Sequence, residues 1–429
     1  VPELPAIRSW RRILGRTALL SGGVAIGQLV VLLSTPALTR LCEPEAFGQF
    51  AIVYTTIVLF GVVGLAQLEP DIPLCSESDL PIALSAQILI GSLSLLIFTC
   101  LVVAVSTFVT ELGGLPSWAW PLFVISGCLQ IVLLPPGYLF VRRGLFRLLA
   151  FQRMNRLIGQ SLGQLVAAWG GLGAAGLLLG FVFGQLVALA TGFHHLVGEY
   201  RRIRIHHLRS IGSYLRRARS YPVHLLPANL LASTVQHLPP VLVAANFSVA
   251  EAGLVVLVQR VISLPVRLLS HTASHALLGE LRDAAPWQRH RLGLQTLTLF
   301  TIAGLGVTGL ALLPGTRGWS MLLGPGWEGV WPALLALAPL QIVFFAHEAM
   351  RNFFLVEGLD LLFFESLVSL VVTMATLSAP YVISVEFTTC LLLYSTMTSV
   401  VHVAFLQLLF WRLRAARIPP DDGLIDSQR

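Results

Sequence analysis

The sequence contains no lysine: all 28 of its basic residues are arginine. A nucleotide-binding P-loop requires the lysine of GxxxxGK[ST], and a pyridoxal enzyme requires one for its Schiff base, so both classes are excluded. Charge of either sign is scarce. Only 11% of residues are charged, where soluble domains carry roughly a quarter. Cysteine is scarce as well. The five cysteines, at 42, 75, 100, 128 and 390, lack any CxxC spacing and read as small apolar residues. The histidines of "RIHHLR" (204–209) read as a solvated basic face. No catalytic residue, metal site or cofactor is expected.

What is present in quantity is hydrocarbon. The chain is 55% hydrophobic with a mean hydropathy of +0.80, the balance of a polytopic membrane protein. Hydropathy predicts about twelve transmembrane helices near 16–37, 46–68, 81–107, 117–140, 149–170, 173–197, 221–245, 252–278, 292–314, 331–356, 361–379 and 388–411. "RSWRRILGR" precedes an apolar run of about 20 residues, longer than the 7–15 of a signal peptide, so it reads as the entry to a first span.

Arginine placement orients the chain. With a cytoplasmic N-terminus, 24 arginines fall inside, only Arg40 and Arg317 fall outside, and Arg260 and Arg267 lie within a span. Both termini are therefore expected in the cytoplasm. The excess of +7 then lies against anionic membrane lipid, and nucleic acid is not an expected partner. The basic loop 198–220 divides the chain into an N-terminal lobe of helices 1–6 (1–197) and a C-terminal lobe of helices 7–12 (221–411), with a cytoplasmic tail at 412–429. "EPEAFGQFAIVY" (43–54) is faintly echoed by "SVAEAGLVVLVQ" (248–259), and "RGLFRLLAFQ" (143–152) by "EGLDLLFFES" (357–366). That offset predicts a parallel internal repeat, an all-α fold of two six-helix lobes around a central cavity.

The eighth predicted helix, around "LVQRVISLPVRLLSHTASHALLGE" (257–280), is anomalous. Arg260, Ser263, Arg267, Ser270, His271, Ser274 and His275 fall within an arc of about 140°. Each arginine at a helix centre costs about 2.5–3.5 kcal/mol on the insertion scale. Such a stripe must face protein or water. Arg260 and Arg267 read either as cavity-lining anion ligands or as halves of ion pairs with Glu69, Asp71, Glu348 or Glu365. Asn229, Ser233 and Gln236 share a face of helix 7; Gln341, Glu348 and, at its edge, Arg351 share one of helix 10. The candidate substrate-binding set is thus Arg260, Arg267, His271, Asn229, Ser233, Gln236, Gln341 and Arg351. Glu69, Asp71 and Glu348 are candidate gate or ion-coupling groups. Gly159 and Gly163 form a GxxxG on helix 5, a packing signal.

Three stretches carry a family likeness. "PALTRLCEPEAFGQFAIVY" (36–54), "YPVHLLPANLLASTVQHLPPVLVAANFSVAEAGLVVLVQRVISLPVRLLSH" (221–271) and "LLGPGWEGVWPALLALAP" (322–339) resemble, in this order, the Wzx-type polysaccharide flippases. The resemblance implies the multidrug/oligosaccharidyl-lipid/polysaccharide exporter superfamily. It further implies a transporter that is not an enzyme, working by alternating access in the bacterial inner membrane. Its implied substrate is an undecaprenyl-diphosphate-linked oligosaccharide, with polysaccharide polymerase or other assembly proteins as further partners. Arg260 matches the family's Gln-Arg landmark and Glu69 its acidic position after helix 2, although "AQLEPDIPL" lacks the Arg-Tyr that often precedes that acid. A cation-coupled drug or metabolite exporter of the same superfamily and a membrane polysaccharide polymerase are the alternative readings.

Overall fold

The computed structural model describes residues 5–108, 120–200, 208–262, 286–357, 359–381 and 384–415. Among them the chain is helical throughout, with fourteen α-helices and no strand. Twelve are long or open long segments: α1 (Pro5–Leu41), α2 (Pro44–Gly64), α3 (Leu80–Phe108), α4 (Trp120–Arg142), α5 (Phe146–Trp169), α6 (Gly173–Tyr200), α8 (Leu226–Asn246), α9 (249–262), α10 (Pro286–Leu312), α12 (Val330–Glu357), α13 (Leu359–Leu377) and α14 (Phe387–Ala415). Two are short, α7 (Leu208–Arg217) and α11 (Gly315–Leu323). The loop expected at 315–330 thus contains a helix. Nine helices among the described residues are long and apolar enough to cross a membrane. α5 and α8 are not in that set, since Arg147, Arg153 and Arg156 on one and Asn229, Gln236 and His237 on the other dilute their hydropathy. α3 shows the lipid-facing pattern plainly: Leu89, Leu93, Leu96 and Ile97 are exposed, while Ala83, Leu84, Ala86 and Gln87 are buried.

The helices fall into two compact units, one of Val1–Val261 with Thr316–Val330 and the other of Ile262–Gly315 with Trp331–Arg429. In the first unit α5 packs on α6 and α1, α4 on α6, and α2 on α8. The α5–α6 seam is set by glycine. Gly159 and Gly163 of α5 meet Gly184 and Gly180 of α6, and a Cβ on Gly180 or Gly184 would run into the backbone of Gln164 or Arg156. Small residues four apart on both helices let the backbones touch, which is how apolar helices associate where hydrophobic burial supplies no force.

A second close approach lies where α2 and α9 begin. A Cβ on Gly48 would overlap the carbonyl of Val249, and one on Gly253 would overlap the carbonyl of Pro44. An offset of 205 residues maps Pro44 onto Val249 and Gly48 onto Gly253. The contact is therefore reciprocal, as the crossing of two equivalent helix starts about a two-fold axis must be. The third stretch of family likeness docks at the same end of this unit. The Trp327 indole N–H donates to the Thr39 carbonyl at 2.8 Å, and its ring meets Phe47 edge-on at 5.1 Å. Arg40 donates to the Met321 carbonyl at 2.9 Å. In the second unit α13 packs on α14, and α10 on α14, around a core of Met350, Phe353, Phe354, Leu406 and Leu409.

Candidate functional site

α2 ends in an unusual turn. Ala66 and Gln67 both take positive φ, 52° and 57°, a left-handed conformation that costs a non-glycine residue about 1–3 kcal/mol and is kept only where the surroundings impose it. Here the Gln67 side chain imposes it. Its Nε2 donates to the Val62 carbonyl at 3.0 Å, and its Oε1 accepts from Asn229 Nδ2 of α8 at 2.7 Å. The turn delivers Glu69 to the head of a 3₁₀ segment, Glu69–Asp71. Glu69 is 2% exposed, and its Oε2 has no hydrogen-bond partner among the described residues. Burial pushes its carboxyl up from the usual carboxylate range to about 7, a backbone hydrogen bond offsetting part of the rise.

The rest of the joint is pinned from three sides. Gln87 of α3 donates to the Leu68 carbonyl at 3.1 Å. Arg142 at the end of α4 donates to the carbonyls of Ile72 and Cys75 and pairs with Glu77 at 3.2 Å. Asp71 accepts from the hydroxyls of Tyr214 (2.8 Å) and Tyr221 (3.2 Å). Tyr214, Ile211 and Ala218 bury one face of α7 against Leu68, Ala83 and Ala86. Burial and the neighbouring Asp71 carboxylate raise the Tyr214 hydroxyl well above the usual phenol range, so it stays a donor.

Two guanidinium groups lie deeper in this unit. Among the described residues Arg260 of α9 reaches the Val31 carbonyl, at 3.5 Å, and its buried Nε has no partner there. Arg156 stands ten residues, nearly three turns, into α5, and so belongs to the helix interior and not to the inner joint where its neighbours placed it. It donates to Gln130 Oε1 at 2.9 Å and lies 5.6 Å from the Phe181 ring centroid, a cation–π position. Gln185 joins the network through Gln130 and Ser126. Beside it Tyr54 meets Phe181 and His237 edge-on at 5.4 and 5.8 Å. Guanidinium, carboxamides and aromatic rings from α2, α4, α5, α6 and α8 thus share one region of the unit.

The predicted site residues are distributed as follows. Arg260, Asn229, Ser233, Gln236, Glu69 and Asp71 belong to the first unit; Gln236 is exposed and the Asn229 and Ser233 side chains are half-buried. Gln341, Glu348 and Arg351 belong to the second. Arg351 is exposed and donates to Glu348 at 3.3 Å, one turn back on the same helix. Arg267 and His271 lie outside the described residues. The ion-pair partners proposed for Arg260 are otherwise engaged or unmatched: within its unit Asp71 is held by two tyrosines, and Glu69 Oε2 has no partner among the described residues. Glu365 is held by His347 and His402, at 2.8–2.9 Å. Arg156, Gln130, Gln185 and Tyr54 were not among the predicted site residues. The available signal was Arg156 itself, charged and more than two turns inside a helix, three and seven residues before the glycines of the seam.

Solved structures of similar fold share the architecture over nearly the whole chain. An inward-facing multidrug resistance MATE family transporter of the MOP superfamily matches with a TM-score of 0.63 at 11% identity, covering 94% of this chain and 95% of that one. Its outward-facing counterpart matches with a TM-score of 0.61 at 14% identity, covering 94% and 97%. A MOP superfamily transporter from Pyrococcus furiosus Vc1, described as having a binding pocket of reverse polarity, matches with a TM-score of 0.60 at 11% identity, covering 95% and 97%. The chain shares the multi-helix fold of these transporters. The profile of the family described as polysaccharide biosynthesis protein matches residues 37–284, more than half of the chain, which belongs to that family. No curated protein matches the chain in sequence.

Proposed function

We propose that this chain is a flippase of the Wzx type. It would move an undecaprenyl-diphosphate-linked oligosaccharide from the cytoplasmic to the periplasmic leaflet of the bacterial inner membrane by alternating access, with both termini in the cytoplasm. The observation that carries the proposal is Arg260: a half-buried guanidinium on an apolar helix whose polar contact among the described residues is a distant carbonyl. A buried cation without a counter-ion is costly. A mobile anion that visits the site accounts for it better than a structural pair does, since its unit supplies Arg260 no carboxylate among the described residues.

The mechanism follows from the chemistry of the cargo. A diphosphate meets a prohibitive desolvation barrier in hydrocarbon. Guanidinium forks replace its hydration with charge-assisted, bidentate bonds. Arg156, Gln130 and Tyr54 supply the groups that sugars use, amide donors and aromatic faces, while Asn229, Ser233, Gln236, Gln341 and Arg351 remain candidate lining, with Arg267 and His271 continuing the arginine stripe. The polyprenyl tail stays in lipid. Glu69 titrates near neutrality and Asp71 ties its turn to α7, so this joint and Glu348 are the candidate gate or coupling groups.

The decisive experiment is transfer of a defined, fluorescent lipid-linked oligosaccharide across proteoliposome bilayers. Arg260→Ala and Arg156→Ala should each cut transfer by about 10- to 100-fold while the purified proteins keep the wild-type helical content. Wild-type transfer in the double variant sinks the proposal, and ethidium transport by the same vesicles would assign the chain to drug export instead.

A further inference from the structure

The second unit buries a cluster that the proposed transport does not use. His347 of α12, Glu365 of α13 and His402 of α14 come from three different helices, and all three side chains are buried. Glu365 lies 2.8–2.9 Å from His347 Nε2 and 2.8 Å from His402 Nδ1, and the two imidazoles stack with centroids 4.6 Å apart. One donor atom from each residue lies within 4.8 Å of the others. His347 Nδ1 is buried with no partner among the described residues.

The surroundings are polar in a way that helix packing alone does not require. α13 and α14 run antiparallel. Glu365 stands opposite His402, and the Tyr394 side chain bonds to Thr373 two turns further on. That register sets Ser369 level with Thr398, one turn from the cluster. Both hydroxyls are buried and neither has a partner among the described residues. Thr373 and Ser395 extend the same buried polar seam. Unsatisfied hydroxyls beside a buried carboxylate inside spanning helices mark an ion site and its approach, not a packing surface.

We infer that His347, Glu365 and His402 form a binding site for one divalent transition-metal ion of the zinc class. The donor set decides the class. Two imidazoles and one carboxylate suit zinc and its neighbours, whereas magnesium and calcium require oxygen cages. Three protein ligands leave a fourth position for water or for a hydroxyl of the seam. The nitrogen–oxygen separations need to open only by a few tenths of an ångström to place each donor about 2.0–2.2 Å from a central ion. Each neutral imidazole then carries its single proton on the nitrogen turned away from the metal. The net charge of the cluster changes from −1 to +1, and the ion ties α12, α13 and α14 together. The inference is independent of which cargo the protein carries.

The test uses the full chain purified in detergent, stripped with a chelator, loaded with zinc chloride and desalted. Mass spectrometry should count one zinc per chain, and the thermal midpoint should rise on loading. Glu365→Gln and His402→Gln should each weaken zinc binding by at least the roughly 10- to 100-fold that loss of even an outer partner costs. Zinc retained at wild-type level in Glu365→Gln, or no zinc above a chelator-treated control, overturns the site. Zinc-edge X-ray absorption on the wild-type protein decides without any variant. Imidazole nitrogen and oxygen at about 2.0–2.2 Å without sulfur supports the assignment, and sulfur at about 2.3 Å refutes it.

Discussion

In the first unit, among the described residues, Arg260 and Arg156 sit on helices with carbonyls, an amide and an aromatic face for company. In the second, Glu365 is more deeply buried and is clasped by two imidazoles. A charge inside the helices has thus been met in two ways. A buried charge that the fold itself satisfies is structural or holds a resident ion. A buried charge that the fold leaves short of partners is kept for something that arrives. The two cases make opposite predictions about what a neutral substitution does, since one removes a keystone and the other removes a burden.

Glu365→Ala is the largest effect expected. It strands two imidazole donors in an apolar interior, and breaking a buried pair from one side costs about 3–5 kcal/mol. The measurement is thermal unfolding in detergent without added metal; an unchanged midpoint would erase the contrast between the units. Glu69 sharpens the comparison from within the first unit, being a buried acid with no such clasp. Its carboxyl rises from about 4.5 to about 7 on folding, so the native state holds its proton more tightly than the unfolded chain does. Below the unfolded value both states are protonated and no penalty applies. As pH rises through the folded value, stability on the order of 3 kcal/mol is lost. Melting between pH 5 and pH 8 should therefore show a decline that Glu69→Gln removes, and a variant with the wild-type slope would assign the decline elsewhere.

Arg260→Met comes next and tests the other side. Removing a guanidinium that lacks a counter-ion should leave the melting midpoint level or raise it, because the desolvation cost disappears with the charge. Transfer of the lipid-linked oligosaccharide should fall by about 10- to 100-fold, the worth of one or two hydrogen bonds to a charged group. Destabilisation by several kcal/mol, with transport intact, would make Arg260 a structural residue and align it with Glu365.

The sequence disclosed the architecture more readily than the site. Twelve apolar runs of membrane length are hard to misread, and among the described residues each predicted run meets a helix, the eighth over 252–262, because backbone satisfaction in lipid permits little else. The motifs behind the family likeness proved architectural too. Gly48, Gly253 and Trp327 gather where α2 and α9 cross, and their spacing records how closely two backbones must approach. Side-chain partners were harder to read. Glu365 was weighed as an arginine's counter-ion, while His347 and His402 lie 18 and 37 residues away, and no local period links residues on three helices. The hydroxyl seam did leave a trace: Glu365, Ser369 and Thr373 repeat every four residues, as do Thr398 and His402. A membrane helix that keeps one polar stripe at that period is marking an interior face.

The third acid, Asp71, falls between the other two and gives the smallest expected effect. It is half-buried and accepts from Tyr214 and Tyr221, so it is satisfied by neutral donors that solvent can partly replace. Tyr214→Phe should cost about 1 kcal/mol, the net worth of one ordinary hydrogen bond. A double-mutant cycle with Asp71→Asn should return a coupling of similar size. The informative readout is local. α7 is held to the 65–79 joint by this carboxylate and by the Arg217–Asp79 pair at 3.1 Å, so amide exchange in 208–217 should quicken in Tyr214→Phe while α13 and α14 keep their protection. If exchange quickens in both units alike, the partner-rich and partner-poor regions share one cooperative unfolding and the division drawn between them has no thermodynamic meaning. If it quickens in α7 alone, the linker helix is a separable latch on the turn that carries Glu69, and its release can be studied apart from the rest of the chain.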